Sequence, residues 1–356
     1  MGLDIGGANT KAALLGFKEK RIIKSFSYIE YFPFWENTIT EIPELLRRIV
    51  KELVEKNNFT LKDIDCIAVT ITAELSDAFR TKREGILLIL DALETIFDKN
   101  KLRFITNKCK FVSFERAKLD YLSIAAANWA STALFLGKFI SMCVLIDAGS
   151  TTIDIIPIYE SIPVPKGRND TSRLLNHELI YTGGLRATIP SITHHVPYKG
   201  KNLRVSFEKF ALISDVYRIL NFISEEEYIN DTADNRSKSL EDCYARLSRV
   251  ICMDIETITI EDLNIIANSI YEKHLEIITE EITSFMIDLY RRYDEYRSDP
   301  KFVITGLSSD FLIKIPLKRL GYKNILSYEE ITKIPNKINS SAFAVAGALY
   351  HQLKFS

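Results

Sequence analysis

Two stretches of this chain repeat one pattern, in which a short apolar strand ends in an aspartate and is followed by glycines and hydroxyl residues. They run Met1-Gly-Leu-Asp4-Ile-Gly6-Gly7-Ala-Asn9-Thr10-Lys11 and Val144-Leu-Ile-Asp147-Ala-Gly149-Ser150-Thr151-Thr152-Ile-Asp154. Glycine adopts positive φ and has no Cβ, so backbone N–H groups and hydroxyls can converge on phosphate oxygens. A single Asp-x-Gly turn usually only reverses the chain. Two copies with the same order of residue types predict a pair of phosphate-binding hairpins that together clamp a polyphosphate.

The carboxylates of the two hairpins indicate a metal ion. Mg²⁺ usually reaches proteins through one or two acidic side chains and several waters, so we expect it to be held by Asp4 and Asp147. Phosphate oxygens are expected to contact the residues of both turns and one glycine after a late strand, namely Gly6, Gly7, Asn9, Thr10, Lys11, Gly149, Ser150, Thr151, Thr152 and Gly306. The alternative for Lys11 is that it is only an exposed strand residue. The alternative for Asp154 is that it only caps the second hairpin.

These two loops resemble those of the superfamily of acetate and sugar kinases, Hsp70 and actin, and the second loop is most similar to its hydantoinase/oxoprolinase branch. The resemblance implies a two-lobed α/β, actin-like (ribonuclease H-like) ATPase fold with a cleft between the lobes. A chain of 356 residues that is 47% hydrophobic can bury two cores. We expect lobe I at 1–138, with a C-terminal helix at 340–356 packing back on it, and lobe II at 139–339, including an insertion at 160–260.

Apolar periodicity predicts the elements around the hairpins. Helical spacing marks 41–58, 85–98, 261–293, 307–320 and 340–353, and Ala344, Gly347 and Ala348 give the last of these a small-residue face. Apolar or β-branched runs predict strands at 64–72, 109–113, 141–147, 153–159, 302–306 and 324–328. The segment 163–198 is rich in Pro, Gly and polar residues, and it is too long for a structureless connection. We therefore expect it to be an ordered, functional insertion.

Charge and cysteine content restrict the partners and the compartment. A net charge of −1 offers no field for nucleic acid or an anionic membrane, which leaves small molecules or protein as partners. Five cysteines without paired spacing predict a reduced, cytoplasmic protein with neither a zinc site nor disulfides. The apolar region 123–146 is interrupted by polar residues, so it predicts a buried helix and a strand rather than a membrane span. No charged leader or apolar signal segment is expected, and the oligomeric state is open.

Further stretches resemble the archaeal synthases of methanofuran biosynthesis. They are Thr70-Ile-Thr-Ala-Glu74-Leu-Ser-Asp77-Ala-Phe-Arg80, Arg83-Glu84-Gly85, Ala125-Ala-Ala-Asn128-Trp129, His177-Glu178-Leu-Ile-Tyr181-Thr182-Gly183 and Asp231-Thr-Ala-Asp234-Asn-Arg236. The resemblance implies a transferase that condenses (5-(aminomethyl)furan-3-yl)methyl diphosphate with the phenol of γ-glutamyltyramine, forming an aryl ether and releasing diphosphate. The phosphates then belong to the substrate and ATP is not expected. The single glycine of Thr305-Gly306-Leu307, where nucleotide-binding members carry a Gly-x-Gly-Gly turn, favours this interpretation.

That chemistry needs a base, because a phenol has an unperturbed pKa of about 10. Glu74, just past a buried strand, is the predicted base, and Lys11 is expected to assist at the diphosphate. Charged and polar residues elsewhere are predicted to hold the substrates: Asp77, Arg80, Arg173, Tyr181, Thr182, Arg186, Asp215, Asp234 and Arg236. The alternative is that these groups form solvated surface pairs or order a lid. Two other functions stay open, an ATP-dependent kinase or hydantoinase/oxoprolinase-like enzyme and a non-catalytic nucleotide-binding regulator.

Overall fold

The computed structural model describes residues 1–19, 21–36, 39–337 and 339–355, so the last position of the predicted helix 340–356 lies outside the described residues. The strands are β1 (Gly2–Ile5), β2 (Asn9–Lys18), β3 (Arg21–Tyr31), β4 (Ile67–Ile71), β5 (Leu102–Ile105), β6 (Phe111–Ser113), β7 (Cys143–Ala148), β8 (Ile153–Tyr159), β9 (Ile162–Pro163), β10 (Leu179–Ile180), β11 (His195–Tyr198), β12 (Lys201–Arg204), β13 (Phe302–Thr305) and β14 (Ile325–Ser327). The α-helices are α1 (Ile42–Ile49), α2 (Lys82–Ile96), α3 (Phe114–Leu119), α4 (Asn128–Leu136), α5 (Asp170–Leu175), α6 (Ile189–Ile192), α7 (Ile213–Ile219), α8 (Leu240–Arg249), α9 (Ile260–Arg292), α10 (Lys314–Arg319), α11 (Tyr328–Thr332) and α12 (Ser340–Phe355).

The first sheet has the strand order β3-β2-β1-β4-β5-β6. Strand β1 is antiparallel to β2 and parallel to β4, and every residue of β1 and β4 is buried, as expected for central strands covered on both faces. Asp4 lies opposite Lys11 on β2 and opposite Thr70 on β4. Because directly opposed residues project from the same face of a sheet, these three side chains share one face.

The second sheet repeats this arrangement with the order β10-β8-β7-β13-β14, and β9 pairs with β8 outside this path. Each sheet begins with a hairpin, adds its third strand beside the second strand of the hairpin, and places its fourth and fifth strands on the other side. Both of the aspartate-glycine turns identified in the sequence join the first and second strands of their sheets. This repeated order is that of a ribonuclease H-like fold and accounts for the repeated sequence pattern.

The chain forms two compact units, one made of residues 1–145, 156–175 and 326–356 and the other of residues 146–155 and 176–325. The predicted lobes divide the chain differently, because they assign 139–145, 156–175 and 326–339 to lobe II, whereas these residues belong to the first unit. Within the first unit, helix α12 packs on α4 through the predicted Gly347 and on β1 through Ala342 and Ala346. A Cβ at Gly347 would lie 2.5 Å from the Phe135 ring, and one at Gly2 would lie 2.1 Å from the Ala342 carbonyl oxygen. Only glycine fits at these two contacts.

Most of the predicted elements are present. The helix predicted at 41–58 consists of α1 followed by a π-helical turn at Val50–Val54 and a 3₁₀ turn at Glu55–Asn57. The helix predicted at 307–320 likewise begins with a buried π-helical turn at Ser309–Ile313 before α10. The segment 163–198 is ordered and contains α5, β10, α6 and β11. Among the described residues, no helix is both long enough and apolar enough to span a membrane.

Candidate active site

The two aspartate-glycine turns close in the same way. The amide of Gly6 donates a hydrogen bond of 3.1 Å to the Asn9 carbonyl, and the amide of Gly149 donates one of 3.0 Å to the Thr152 carbonyl. Each glycine stands two residues after its aspartate. A Cβ at Gly6 would lie only 2.7 Å from the Asn9 oxygen, so this turn requires glycine. The equivalence of the two turns predicted from the sequence is therefore confirmed in the backbone.

Asp4 lies at the base of the first turn with an oxygen available for a ligand. The side chain is buried, and its Oδ2 accepts a hydrogen bond of 2.5 Å from Ser341 Oγ on α12. Within the described residues, neither Asp4 Oδ1 nor Thr70 Oγ1 on the neighbouring strand has a hydrogen-bond partner. Burial raises the pKa of Asp4, and the charge of Lys11 opposes this effect. A cation beside Oδ1 would satisfy the unpaired oxygen and would also offset the cost of burying the carboxylate.

The second turn is braced from two sides by glycine-containing segments. The Gly184 amide donates to the Gly149 carbonyl at 2.9 Å, and a Cβ at Gly183 would lie 2.6 Å from that same oxygen. On the other side, Gly306 has φ +92°, and a Cβ there would lie 2.3 Å from the Ala148 oxygen. Ser308 Oγ donates to the same Ala148 oxygen at 3.0 Å. Gly306 thus supports the strand that leads into the turn; its predicted phosphate contact stays a prediction.

A buried histidine fixes the segment that carries Gly183 and Gly184. His274 Nε2 is 2.9 Å from Thr182 Oγ1, and His274 Nδ1 is 2.5 Å from the Tyr217 hydroxyl. Burial lowers the pKa of His274 to about 4, so the imidazole is neutral at pH 7, with one ring nitrogen donating and the other accepting. His274 is not among the residues predicted from the sequence. Its position on the apolar face of α9, four residues from Ile270 and from Ile278, is the only signal that it is buried.

Glu74 lies beside the first turn. It follows the carboxyl end of β4, the parallel neighbour of β1, and the Thr72 amide donates to the Ile5 carbonyl at 2.8 Å. A Cβ at Gly7 would lie 3.9 Å from Ser76 Cβ. The segment around Glu74 therefore lies beside the turn of the first hairpin. Crevices at the carboxyl ends of adjacent strands are the usual ligand sites of α/β sheets.

The Glu74 carboxyl is 1% exposed and carries a perturbed pKa. Neither of its oxygens accepts a well-formed hydrogen bond among the described residues. Burial raises the pKa of Glu74 to about 7, while the Lys82 ammonium, 3.8 Å away, and nearby backbone amides only partly offset burial. A carboxyl with a pKa near 7 is half ionised at neutral pH, which suits general-base catalysis.

Other predicted substrate residues lie near one of the two turns. Asp77 and Arg80 are exposed in the segment between Glu74 and α2, and the Arg80 amide donates to Glu84 Oε2 at 2.8 Å. In the second unit, Tyr181 and Arg186 are exposed on either side of Gly183 and Gly184, and the Arg186 amide donates to the Ser150 carbonyl at 3.2 Å. Their side-chain roles in binding stay predictions.

The remaining predicted residues are engaged in packing or ion pairs. The Arg173 guanidinium is 1% exposed and lies 4.6 Å from the centroid of the Trp129 ring. Asp215 is fully buried and accepts from Arg246 Nε at 2.8 Å. The Tyr228 hydroxyl and the Leu212 amide donate to the same carboxylate, each at 2.9 Å.

Asp234 accepts from Arg246 at 3.1 Å and from Arg249 at 2.9 Å, and Arg236, which is exposed, lies 4.0 Å from it. These ion pairs account for the charged residues at these positions without a bound substrate. Substrate binding by Arg173, Asp215, Asp234 and Arg236 stays a prediction. Within the described ranges, no cluster of three or more His, Cys, Asp or Glu side chains forms a metal cage.

Comparisons with known proteins place these features in a family. The sequence profile described as hydantoinase/oxoprolinase matches residues 65–352. The chain is 36% identical, over 354 residues, to the (4-{4-[2-(gamma-L-glutamylamino)ethyl]phenoxymethyl}furan-2-yl)methanamine synthase of Methanocaldococcus jannaschii, covering 99% of this chain and 98% of the relative. The protein of the same name from Methanococcus vannielii is 30% identical over 214 residues, covering 59% of this chain and 92% of the relative.

One solved structure supports the fold alone. The nucleotide-free structure of acetone carboxylase matches with a TM-score of 0.50 at 15% identity, covering 86% of this chain and 45% of that one. This likeness agrees with the repeated strand order of the two sheets. The predicted actin-like fold class and the resemblance to the hydantoinase/oxoprolinase branch are confirmed.

Proposed function

The chain belongs to the hydantoinase/oxoprolinase family, and from this premise we propose that it makes (4-{4-[2-(γ-L-glutamylamino)ethyl]phenoxymethyl}furan-2-yl)methanamine, a precursor of methanofuran. The observation that carries the proposal is the 36% identity to a synthase of this name across nearly the full length of both chains. The enzyme is a transferase of a furanylmethyl group. Its partners are small molecules, and we place it in the cytoplasm with those substrates.

The proposed reaction joins (5-(aminomethyl)furan-3-yl)methyl diphosphate to γ-glutamyltyramine. The bond between the methylene carbon and the diphosphate oxygen breaks, and its electron pair leaves with diphosphate. The phenol oxygen forms a bond to the methylene carbon, and the phenol proton passes to a base. Atoms and charge balance without ATP, so the energy of the reaction comes from the diphosphate of the donor.

The two turns are the proposed binding elements for the diphosphate. In the first unit, the amide of Gly7 and the ammonium of Lys11 would face the leaving group, while the Gly6 amide closes the turn on the Asn9 carbonyl. In the second unit, the turn at 149–152 would also donate to phosphate oxygens. Its backbone is supported by Gly183, Gly184 and Gly306. Preorganised N–H donors stabilise the charge that develops on a leaving group, because they need no rearrangement during the reaction.

The donor set fits a hydrated magnesium ion. Asp4 has an unpaired, buried oxygen next to the Thr70 hydroxyl, and Asp147 offers a second carboxylate at the corresponding position of the other hairpin. Few protein ligands and several waters are the usual coordination of magnesium. When bound, the ion supplies positive charge to the diphosphate. Asp4 and Asp147 are its proposed ligands.

Glu74 is the proposed base. Its pKa of about 7 leaves a large fraction ionised at neutral pH, and its segment lies beside the turn that would hold the diphosphate. The phenol is a far weaker acid than this carboxyl, so proton transfer becomes favourable only as the new carbon–oxygen bond forms. Glu74 therefore has to lie close to the reacting oxygen in the substrate complex.

The decisive experiment supplies the purified protein with both synthetic substrates and magnesium, and follows aryl ether and diphosphate by mass spectrometry and a diphosphate assay. We expect equal amounts of the two products and no requirement for ATP. A parallel reaction with ATP in place of the diphosphate donor separates the alternatives. Consumption of ATP without formation of the ether would identify a kinase or an oxoprolinase-like enzyme and would refute the proposal.

A further inference from the structure

Glu74 belongs to a group of three charged side chains in the first unit, in which the Lys82 ammonium lies near both the Glu74 and the Asp170 carboxylates. The exposed fractions of the side chains are 1% for Glu74, 17% for Asp170 and 30% for Lys82. The Lys82 ammonium is 3.8 Å from Glu74 Oε1 and 3.2 Å from Asp170 Oδ2. It is within hydrogen-bond distance of Asp170 only. One cation is thus shared by two carboxylates that compete for it.

The position of Lys82 on its helix makes this competition significant. Lys82 is the first residue of α2, after the N-cap Thr81, and the positive end of the helix dipole disfavours a cation there. The two carboxylates compensate for that unfavourable position. A lysine side chain has a long, flexible stem, so its ammonium can move between two acceptors without a change in the backbone. Asp170 comes from the first turn of α5, 88 residues further along the chain.

We propose that Lys82 is a positioning residue that sets the charge of Glu74, and that Asp170 limits this effect by holding the ammonium away from Glu74. The inference extends the base role assigned to Glu74 under the proposed function. Its direct test needs no catalysis, so the two can fail separately. When Lys82 turns towards Glu74, the carboxylate is stabilised, and when it stays on Asp170, protonated Glu74 is favoured.

The surroundings of Glu74 contain few other charges that act on it. The main ones are Lys82 on α2, which lowers the pKa of Glu74, and Asp170 on α5, which raises it. The segment that precedes α4 contributes the amide of Ala126 rather than a charged side chain. Removing either partner should therefore change the titration of Glu74 in a known direction.

The test is a ¹³C NMR titration of the whole protein labelled at glutamate side chains, with the Glu74 signal assigned by its loss in Glu74→Gln. We expect Lys82→Met to raise the titration midpoint by about one pH unit, as removal of a neighbouring opposite charge does. Asp170→Asn should lower the midpoint. Lys82→Arg should stay near the native value, because the charge is retained.

Lys118→Met is the matched control, since Lys118 forms an exposed ion pair of 2.8 Å with Asp91 and should leave the midpoint unchanged. Midpoints that do not move, or that move in the same direction in Lys82→Met and Asp170→Asn, overturn the inference. The pH profile of kcat/KM for ether formation should shift as the NMR midpoints do. If the midpoints shift and the profile does not, Lys82 still controls Glu74, and the base role of Glu74 is refuted instead.

Discussion

Replacing Glu74 by glutamine should make the stability of the protein less dependent on pH. The folded protein holds the pKa of Glu74 at about 7, against an ordinary value of 4.5. The folded state therefore binds the proton more tightly than the unfolded chain does. The stability that protonated Glu74 provides is complete below pH 4.5 and is lost as the pH rises through 7. Glutamine keeps the size of the side chain and cannot titrate.

The magnitude follows from the difference between the two pKa values. At 1.36 kcal/mol for each pKa unit, a difference of about 2.5 corresponds to about 3 kcal/mol between fully protonated and fully ionised Glu74. Because part of the loss occurs below pH 5, about 2.5 kcal/mol remains between pH 5 and pH 8. The side chain is 1% exposed, so solvent screening does not reduce this value.

Urea unfolding at pH 5, 6, 7 and 8 measures this effect in the native protein and in Glu74→Gln. We expect the native protein to lose about 2.5 kcal/mol relative to the variant across this range. Glu55→Gln, a substitution at an exposed glutamate of the same unit, is the matched control and should follow the native protein. Parallel curves of stability against pH for the native protein and Glu74→Gln would show that folding does not raise the pKa of Glu74. The argument that Glu74 is a general base would then be refuted as well.

Three further outcomes are expected. Asp4→Asn and Asp147→Asn should each lower magnesium-dependent turnover at least about 100-fold while circular dichroism shows a retained fold; near-normal rates in both would contradict the metal assignment. His274→Leu leaves the hydroxyls of Thr182 and Tyr217 unpaired, so the free energy of unfolding measured with denaturant should fall by about 1–3 kcal/mol. The KM for the diphosphate donor should rise. An unchanged KM would show that His274 does not support the second turn. Gly306→Ala should lower Tm more than Gly321→Ala. Both glycines have positive φ, +92° and +88°, but a Cβ at Gly306 would lie 2.3 Å from the Ala148 oxygen, whereas one at Gly321 would have no atom within 4 Å. Equal losses of Tm would exclude the contact with Ala148 as the cause.

The sequence was sufficient to predict features that depend on neighbours along the chain. Both turns, and helices such as α9, follow from residue types at short and regular spacing. Glu74 was identified by its place after a buried strand and by a family resemblance. Charge alone does not distinguish a buried ion pair from an exposed side chain, since Asp215 is buried in an ion pair with Arg246 whereas Asp77 is exposed.

The features that were missed depend on contacts between distant parts of the chain. His274 acts on Thr182, 92 positions away, and Asp170 acts on Lys82, 88 positions away. Neither pair has a local sequence pattern that links its two members. The sequence shows that residues 183 and 184 are glycines, but it does not indicate that they approach the Gly149 carbonyl, because that contact depends on the packing of the folded chain.

One strand order recurs in the two sheets, with one kind of turn at the same place, but the two turns are held by different supports. A serine from the last helix reaches Asp4 beside the first turn, whereas glycine segments brace the second turn. A substitution in one set of supports is therefore expected to alter one turn while leaving the other intact, so that the two turns can be tested one at a time.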